Sequence, residues 1–513
     1  MEQAKAIELK NITKRFGKVI ANEGVNLTLK KGEILSILGE NGSGKTTLMN
    51  MLSGIYLPDE GQIFMEGEEV SIRSPKDALK LKIGMVHQHF KLINVLTAAE
   101  NIILGLQRSH VLNMNQVEVD IKELIESYGF ELHPSQKIYD MSVSQKQTVE
   151  IVKVLYRGAN VLILDEPTAV LTPQETEKLF AILRNMKMAG KSIIIITHKL
   201  QEVLDISDRV AVLRKGKYIG SVATKDASVD SLTEMMVGEK VSLDIKRSDP
   251  LNCKLRLKVE HITVKNNEGI KIVNNVTFTS SSGEILGIAG IAGSGQKEIL
   301  EAIAGLEKLE SGSISYVKEE GNEVILSNLQ PEGIKKQGIN LSFVPEDRLG
   351  MGLVGNMDIA DNMMLRSYRS GKSLFTDRKA PKTLALDIIN QLSIVTPGVT
   401  TPVRRLSGGN VQKVLVGREI ALKPNVLMVA YPVRGLDINS SYMIYNLLNE
   451  QKEKGSAVIC VIEDLDVLIG LCDKIVVLCN GKVTGTLDAR KTSKEEVGRL
   501  MTEDAKEDEA CVH

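Results

Sequence analysis

A strand, a glycine-rich turn and a helix occur twice in this chain, about 250 residues apart, so the fold has to accommodate two similar α/β units. The first copy is an apolar strand, Gly32-Glu33-Ile34-Leu35-Ser36-Ile37-Leu38. It runs into Gly39-Glu40-Asn41-Gly42-Ser43-Gly44-Lys45-Thr46-Thr47 and then a leucine- and methionine-spaced helix. This is a P-loop between strand and helix. Its glycines let backbone N–H groups close on phosphates at the helix N-terminus, Lys45 reaches the β- and γ-phosphates, and the Thr46 hydroxyl ligates magnesium. The second copy keeps the frame in Gly283-Glu284-Ile285-Leu286 and Gly290-Ile291-Ala292-Gly293-Ser294-Gly295-Gln296-Lys297. There Gln296 stands where the lysine should be, and Lys297 replaces the magnesium-binding hydroxyl. A neutral amide supplies no charge to screen a γ-phosphate, so weakened nucleotide binding or none is expected from the second copy.

At 513 residues the chain suits two to four domains, and the repeat favours two. Its 64 basic and 65 acidic residues nearly cancel, which excludes the strongly basic balance of a nucleic-acid binder. Apolar runs are strand-sized, as at 193–196, and none approaches the roughly 18 residues of a membrane span. Met1 to Lys10 is polar, so no secretory signal is expected. The cysteines at 253, 460, 472, 479 and 511 lack metal-ligand spacing and read as reduced thiols of a cytosolic protein. Charged, irregular sequence between Val237 and Leu251 marks a boundary. The expected organisation is a first unit over 1–240, a linker over 241–251, a second unit over 252–500 and an acidic tail over 501–513.

Val161-Leu162-Ile163-Leu164-Asp165-Glu166-Pro167 is an apolar strand ending in two carboxylates. Asp165 is expected to hold magnesium and Glu166 the attacking water. Two acids after a strand are often only a solvated loop, but the P-loop upstream favours the chemical reading. A second β-branched strand, Ser192 through Thr197, ends at His198, which is placed to hydrogen-bond a γ-phosphate; a lone histidine there is more often structural. Gln88 follows a short apolar stretch in Met85-Val86-His87-Gln88-His89-Phe90, where a glutamine is usually a surface residue. Phe16, ahead of the P-loop strand, is a candidate to stack on adenine, although an isolated aromatic there more often belongs to the core.

The order of aromatic, P-loop, glutamine loop, signature, Asp-Glu strand and histidine loop, present twice, closely resembles ATP-binding cassette (ABC) ATPases over nearly the whole chain. The resemblance implies an α/β fold of two tandem P-loop NTPase domains, each a mixed-sheet core with a helical signature subdomain, using ATP and Mg2+. It also implies that two cassettes face each other head to tail, so that each ATP lies between one P-loop and the other cassette's signature. The second signature, Leu406-Ser407-Gly408-Gly409-Asn410-Val411-Gln412, keeps its serine and both glycines; the first, Met141-Ser142-Val143-Ser144-Gln145, has side chains in place of the glycines. On the P-loop side the losses run the other way: Ala430 and Tyr431 replace the two acids, Glu346 the glutamine, Glu463 the histidine, and Asn266 aligns with Phe16. The resemblance therefore implies one competent site. It comprises Phe16, Gly39, Glu40, Asn41, Gly42, Ser43, Gly44, Lys45, Thr46, Thr47, Gln88, Asp165, Glu166 and His198, set against Ser407, Gly408 and Gly409. Glu166, His198 and Gln88 form its catalytic set, and Thr46, Gln88 and Asp165 its magnesium set.

Within that family, Val344-Pro345-Glu346-Asp347-Arg348 and a valine-containing first signature are similar to monosaccharide importers. His87 to Leu92, Leu96 to Ile102, and an uncharged pair before Pro432-Val433-Arg434-Gly435-Leu436-Asp437 are similar to the nucleoside branch. Tyr431 and Val433 depart from either pattern. The resemblance implies a peripheral subunit on the cytoplasmic face of the cell membrane, one chain per transporter. Two integral-membrane permease subunits would rest short helices beside Gln88 and Glu346, an extracytoplasmic solute-binding protein would act indirectly, and no nucleic acid would take part. A ribose- or galactose-type importer, a ribosome-associated paired-cassette ATPase and a nucleotide-gated adaptor are the alternatives. The solute is not written in this chain, because selectivity belongs to the permease and the binding protein.

Overall fold

Strands rich in isoleucine, leucine and valine, with no polar alternation, have to be buried on both faces. Ile34–Leu38, Val161–Asp165 and Ser192–Ile196 are buried at every position in a computed structural model that describes residues 4–88, 90–106, 113–169, 171–239, 245–266, 268–368 and 377–503. His89, residues 240–244 of the charged boundary segment, and tail residues 504–513, Cys511 among them, lie outside the described residues.

The chain divides into two units, Met1–Ser242 and Leu243–His513. In the first, a six-stranded sheet runs in the order Lys217–Ala223, Arg209–Arg214, Ile34–Leu38, Ser192–Ile196, Val161–Asp165, Ile83–Val86. All neighbours are parallel except the Lys217–Ala223 edge strand, which makes the sheet mixed. A four-stranded antiparallel sheet, in the order Val19–Lys30, Lys5–Phe16, Glu60–Met65, Glu68–Val70, forms a second layer.

Successive side chains of a strand point to opposite faces, and the central strands use this to feed two cores. Leu35, Ile37, Ile163, Ile194 and Ile196 join Leu48, Met49 and Leu52 of the P-loop helix Lys45–Leu52, together with Ile7, Leu9 and Val25 from the antiparallel sheet. Their alternates Ile34, Leu162, Leu164, Ile193 and Ile195 face a second cluster, built by helices Ala98–Ile103, Met114–Tyr128, Val143–Tyr156 and Pro173–Met188. The P-loop helix is thus clamped between two sheets. The three helices inserted between Ile83–Val86 and Val161–Asp165 form the signature subdomain.

The second unit repeats the plan. Its mixed sheet runs Leu341–Val344, Val426–Ala430, Ala457–Val461, Ile285–Gly290, Lys474–Cys479, Lys482–Asp488, and its antiparallel sheet Lys271–Ser281, Leu255–Lys265, Ser311–Val317, Glu323–Ile325. Leu286, Met428 and Ile459 enter one core, Ile285, Leu427 and Val458 the other. Helices Ile359–Met364, Lys379–Gln391 and Gly408–Ala421 occupy the signature position. The fold class expected from the sequence is the one observed.

The charged segment before residue 252 is bound to the second unit from its described start. Arg247 Nη1 donates to Ile469 O at 2.9 Å and Cys472 O at 2.5 Å, buried Lys452 donates to Ser248 O at 2.6 Å, and Arg490 pairs with Asp249 at 2.6 Å. The charges that read as linker have partners more than two hundred residues away. Among the described residues no helix is long and apolar enough to cross a membrane.

One buried ion pair ties the layers of the first unit together. Glu33 is bound by Arg209 Nε at 2.8 Å and by the Lys30 amide at 2.7 Å, while Arg209 also donates to Thr28 O of the antiparallel sheet at 2.5 Å. The second unit repeats it with Glu284 and Lys474 at 2.9 Å. Truncation of Arg209 leaves Glu33 buried and unpaired. Arg209→Ala is therefore expected to destabilise the first unit by about 3–5 kcal/mol, read by calorimetry as a downward shift of one unfolding transition with the other unmoved.

Candidate functional site

The C-terminal ends of Ile34–Leu38, Val161–Asp165, Ser192–Ile196 and Ile83–Val86 converge on one edge of the first unit's sheet, where α/β sheets bind ligands. The glycine loop follows the first of these strands. Gly42 and Gly44 have φ of 79° and 96°, and a Cβ on Gly44 would strike Ala21 O, so these turns need glycine. Asn22 Nδ2 braces the loop by donating to Gly44 O at 3.3 Å. Lys45 is buried, and its Nζ donates to Gly39 O at 2.6 Å and Glu40 O at 2.9 Å, which holds an ammonium over the loop. Burial depresses its basicity, opposed by Glu166, Asp165 and Glu40. The Ser43 hydroxyl is buried without a partner inside this cradle. A buried cation, an unpaired hydroxyl and a glycine-lined loop at a helix N-terminus are the donor set a polyphosphate requires.

Asp165 and Glu166 end their strand side by side. Glu166 lies in the left-handed region at φ 48°, held by its amide donating to Ile196 O at 2.9 Å. That turn swings its carboxylate between two loops: Gln88 Nε2 donates to Oε2 at 2.8 Å, and His198 Nδ1 is 3.0 Å from Oε1. The hydrogen bond with His198 is the largest influence on Glu166 and holds it below the usual carboxylate range against the cost of burial. Asp165 responds oppositely. Burial first, and the adjacent Glu166 charge second, push it up to about 6, with a Thr46 hydrogen bond and Lys45 pulling the other way. The pair's first proton therefore sits on Asp165. Two crowded carboxylates, with the Thr46 hydroxyl and the Gln88 amide nearby, form an oxygen-rich site that a hard divalent cation fits.

Phe16 is not the core aromatic that an isolated phenylalanine there more often is. It is 43% exposed, edge-on to Tyr56 with ring centroids 5.2 Å apart and Lys14 5.6 Å from its centre. The structure thus brings Phe16, the loop, Gln88, Asp165, Glu166 and His198 onto one unit. Tyr56 and Asn22 escape a reading by motif, since neither lies in one.

In the second unit the loop backbone is kept and the side chains differ. Gly293 and Gly295 have φ of 92° and 95°, and Gln296 Nε2 donates to Ile291 O at 3.1 Å, the same fold-back that Lys45 makes to Glu40. Tyr431 keeps φ 49°, with its amide donating to Val461 O at 2.9 Å. Its phenol, pushed up to about 12 by burial and then by Glu463 and Glu346, stays protonated. Arg434 pairs with Glu346 and, at 3.5 Å, with Glu463, so an ion-paired cluster stands where the first unit has Gln88 and His198. Two acids at facing positions call for a cation, the one sequence signal that pointed to Arg434. Ser407 and Ser142 each cap a helix, but Ser142 is closed by a capping box with Gln145, whereas Ser407 precedes the side-chain-free Gly408 and Gly409.

Fold and site together define a P-loop nucleoside-triphosphate-hydrolysing protein built of two similar units. The ABC transporter family pattern matches residues 22–169 and 273–432. Over 98% of this chain and 99% of the relative, it is 40% identical to the nucleoside import ATP-binding protein NupA of Lactococcus lactis subsp. cremoris (strain MG1363). It is 37% identical over 97% of this chain and 98% of the relative to the ribose import ATP-binding protein RbsA 1 of Rubrobacter xylanophilus (strain DSM 9941 / JCM 11954 / NBRC 16129 / PRD-1). A solved complex of archaeal ribosomal stalk protein aP1 with ribosome recycling factor aABCE1 aligns with 96% of this chain and 92% of that chain, at TM-score 0.60 and 17% identity, a likeness of fold alone. The chain belongs to the ABC transporter family and is an ATP-binding ATPase.

Because Asp165 takes a proton more readily folded than unfolded, its contribution to stability is greatest at low pH and falls as pH rises through about 6. Asp165→Asn removes that repulsion. It is expected to stabilise the chain, measured without nucleotide or Mg2+ at pH 8, by about 1–3 kcal/mol, the gain shrinking as pH falls below 6. Thermal melting across that range checks both sign and window.

Proposed function

We propose that this chain is the ATP-hydrolysing subunit of an importer for nucleosides or simple sugars, with nucleosides the first candidate. One observation carries the reading: the first unit holds Lys45, Thr46, Gln88, Asp165, Glu166 and His198 at one sheet edge, and the second keeps the signature glycines the first lacks. Full-length similarity to a nucleoside import ATP-binding protein, and the His87–Leu92 pattern, support the solute class.

In this reading the loop amides and Lys45 take up the triphosphate, Lys45 exchanging its two carbonyl partners for phosphate oxygens, and Phe16 stacks on the base. Thr46, Asp165 and Gln88 would hold a magnesium ion, which supplies charge neutralisation on the phosphate oxygens when bound. Glu166, kept ionised by His198 and aimed by Gln88, orients the attacking water and accepts its proton. Ser407, Gly408 and Gly409, at the start of Gly408–Ala421 in the second unit, are the remaining nucleotide-binding candidates. ATP binding and hydrolysis would favour different states of the chain, each biasing the attached permease.

Two permease subunits are the partners, with a solute-binding protein acting through them, on the cytoplasmic face of the cell membrane. Ile93, Val95 and Tyr139 near Gln88, and Leu349, Met351 and Val354 near Glu346, are exposed apolar side chains suited to short permease helices.

Glu166→Gln is expected to lower phosphate release about a hundred- to ten-thousandfold and to stop uptake of labelled nucleosides in cells. Loss of ribose or galactose uptake alone would move the chain to the monosaccharide branch. Intact uptake of every solute alongside lost hydrolysis would remove the importer reading.

A further inference from the structure

One contact within the first unit joins the base-stacking candidate to the helix that follows the glycine loop. Phe16 ends its strand at a hairpin, in register with Val19, and its ring meets Tyr56 edge-on, with centroids 5.2 Å apart and planes at 73°. Lys14 Nζ stands over the Phe16 ring, 5.6 Å from its centroid, and is itself held by Asp59 Oδ1 at 2.9 Å. Tyr56 has its own anchor. The Ile55 and Tyr56 amides donate to Asn50 O, in the last turn of Lys45–Leu52, at 2.9 and 3.1 Å. Asp59 ties the same segment to the strand, its amide donating to Thr13 O at 2.8 Å and its Oδ2 accepting from the Arg15 amide at 2.6 Å.

The second unit keeps the backbone of this corner and neither ring. There the Leu306 and Glu307 amides donate to Glu301 O at 2.9 and 3.3 Å, and the Glu310 amide to Thr263 O at 2.8 Å, in the pattern of Ile55, Tyr56 and Asp59. Gly54 and Gly305, just ahead, have φ of 75° and 74°. In that register Glu307 stands at the place of Tyr56, as Asn266 does at that of Phe16. Asn266 Oδ1 is occupied in its own turn, accepting from the Glu268 and Ile270 amides at 3.0 and 2.8 Å. The corner therefore folds without aromatic side chains. Tyr56 is 36% exposed, so its ring is not a piece of the core either. What an edge-to-face pair does supply is a fixed angle between the rings.

We propose that Tyr56 is a positioning residue for the nucleotide base: its ring, held edge-on, sets the tilt at which Phe16 stacks on that base. This rests on the reading that Phe16 stacks on the base of a nucleotide whose phosphates lie in the glycine loop. A phenylalanine at an exposed hairpin end is free about its side-chain torsions, and stacking on a ligand then costs that freedom. Tyr56 and Lys14 remove it before the ligand arrives, so less affinity is lost to ordering the ring. Because Tyr56 is fastened to the helix that begins at Lys45, the platform for the base and the loop for the phosphates share one support.

The test measures, by calorimetry on the full chain, the binding of MgADP and of magnesium tripolyphosphate, which has no base. Tyr56→Ala is expected to weaken MgADP about two- to tenfold and to leave tripolyphosphate unchanged. Tyr56→Leu keeps apolar bulk should the alanine variant fail to fold, and is expected to show the same loss because it presents no ring. Tyr56→Phe restores the ring and with it the affinity. Unchanged MgADP binding in the alanine and leucine variants, an equal loss for both ligands, or a phenylalanine variant as weak as leucine overturns the assignment. Phe16→Ala is the reference, expected to weaken MgADP about fivefold or more. If it does not, the stacking reading itself is wrong and the role of Tyr56 falls with it; if it does while the Tyr56 variants bind normally, only the positioning role fails.

Discussion

A strand buried on both faces has only its ends for polar side chains. Ile34–Leu38, Val161–Asp165 and Ser192–Ile196 send alternate residues into two cores, so a charge in mid-strand would be stranded in one of them. Acids, amides and imidazole are therefore confined to the sheet's edge. Because the strands are parallel, their C-terminal ends meet there together, along with the N-terminus of the P-loop helix. The juxtaposition of Lys45, Gln88, Asp165, Glu166 and His198 is a consequence of how the core is filled.

The same constraint explains how the second unit differs in its side chains and keeps its shape. Gln296 makes the loop contact that Lys45 makes, and Tyr431 occupies the left-handed position of Glu166 with an equivalent amide hydrogen bond. Left-handed backbone at a non-glycine residue costs of order 1–3 kcal/mol. It persists at Tyr431 because the Val461 carbonyl and the strand beneath over-determine it. Nothing in the core depended on the acid, so the acid was free to change.

The features legible in the sequence were local. The glycine loop, the apolar strands ending in Asp165-Glu166 and at His198, and the repeat of all these declare themselves within a dozen residues each. The illegible ones depend on partners far along the chain. Arg247 and Asp249 lie in the segment expected as a linker, and their contacts with Ile469, Cys472 and Arg490 are set only by the fold. Phe16 was a candidate for stacking, but its neighbour Tyr56, which lies beyond the P-loop helix, was not. Arg434 sits inside a recognisable stretch of sequence, but only the fold sets it against Glu346 and Glu463.

The carboxylate pair shows how a few contacts divide labour between neighbours of the same kind. Asp165 and Glu166 share a strand end and comparable burial, and without further contacts they would compete for one proton with no fixed winner. His198 and Gln88 both address Glu166, and the histidine's hydrogen bond holds it ionised. The cost of burial, and then of the neighbouring Glu166 charge, falls on Asp165, where a Thr46 hydrogen bond and Lys45 oppose it and the proton is held more readily. An ionised Glu166 suits a group that handles a proton, while a destabilised Asp165 suits one that gains most from an approaching cation. In the second unit, where neither acid is present, Ala430 has no charge to relieve, Tyr431 keeps its proton, and the neighbouring positions are free to become acids that hold an arginine.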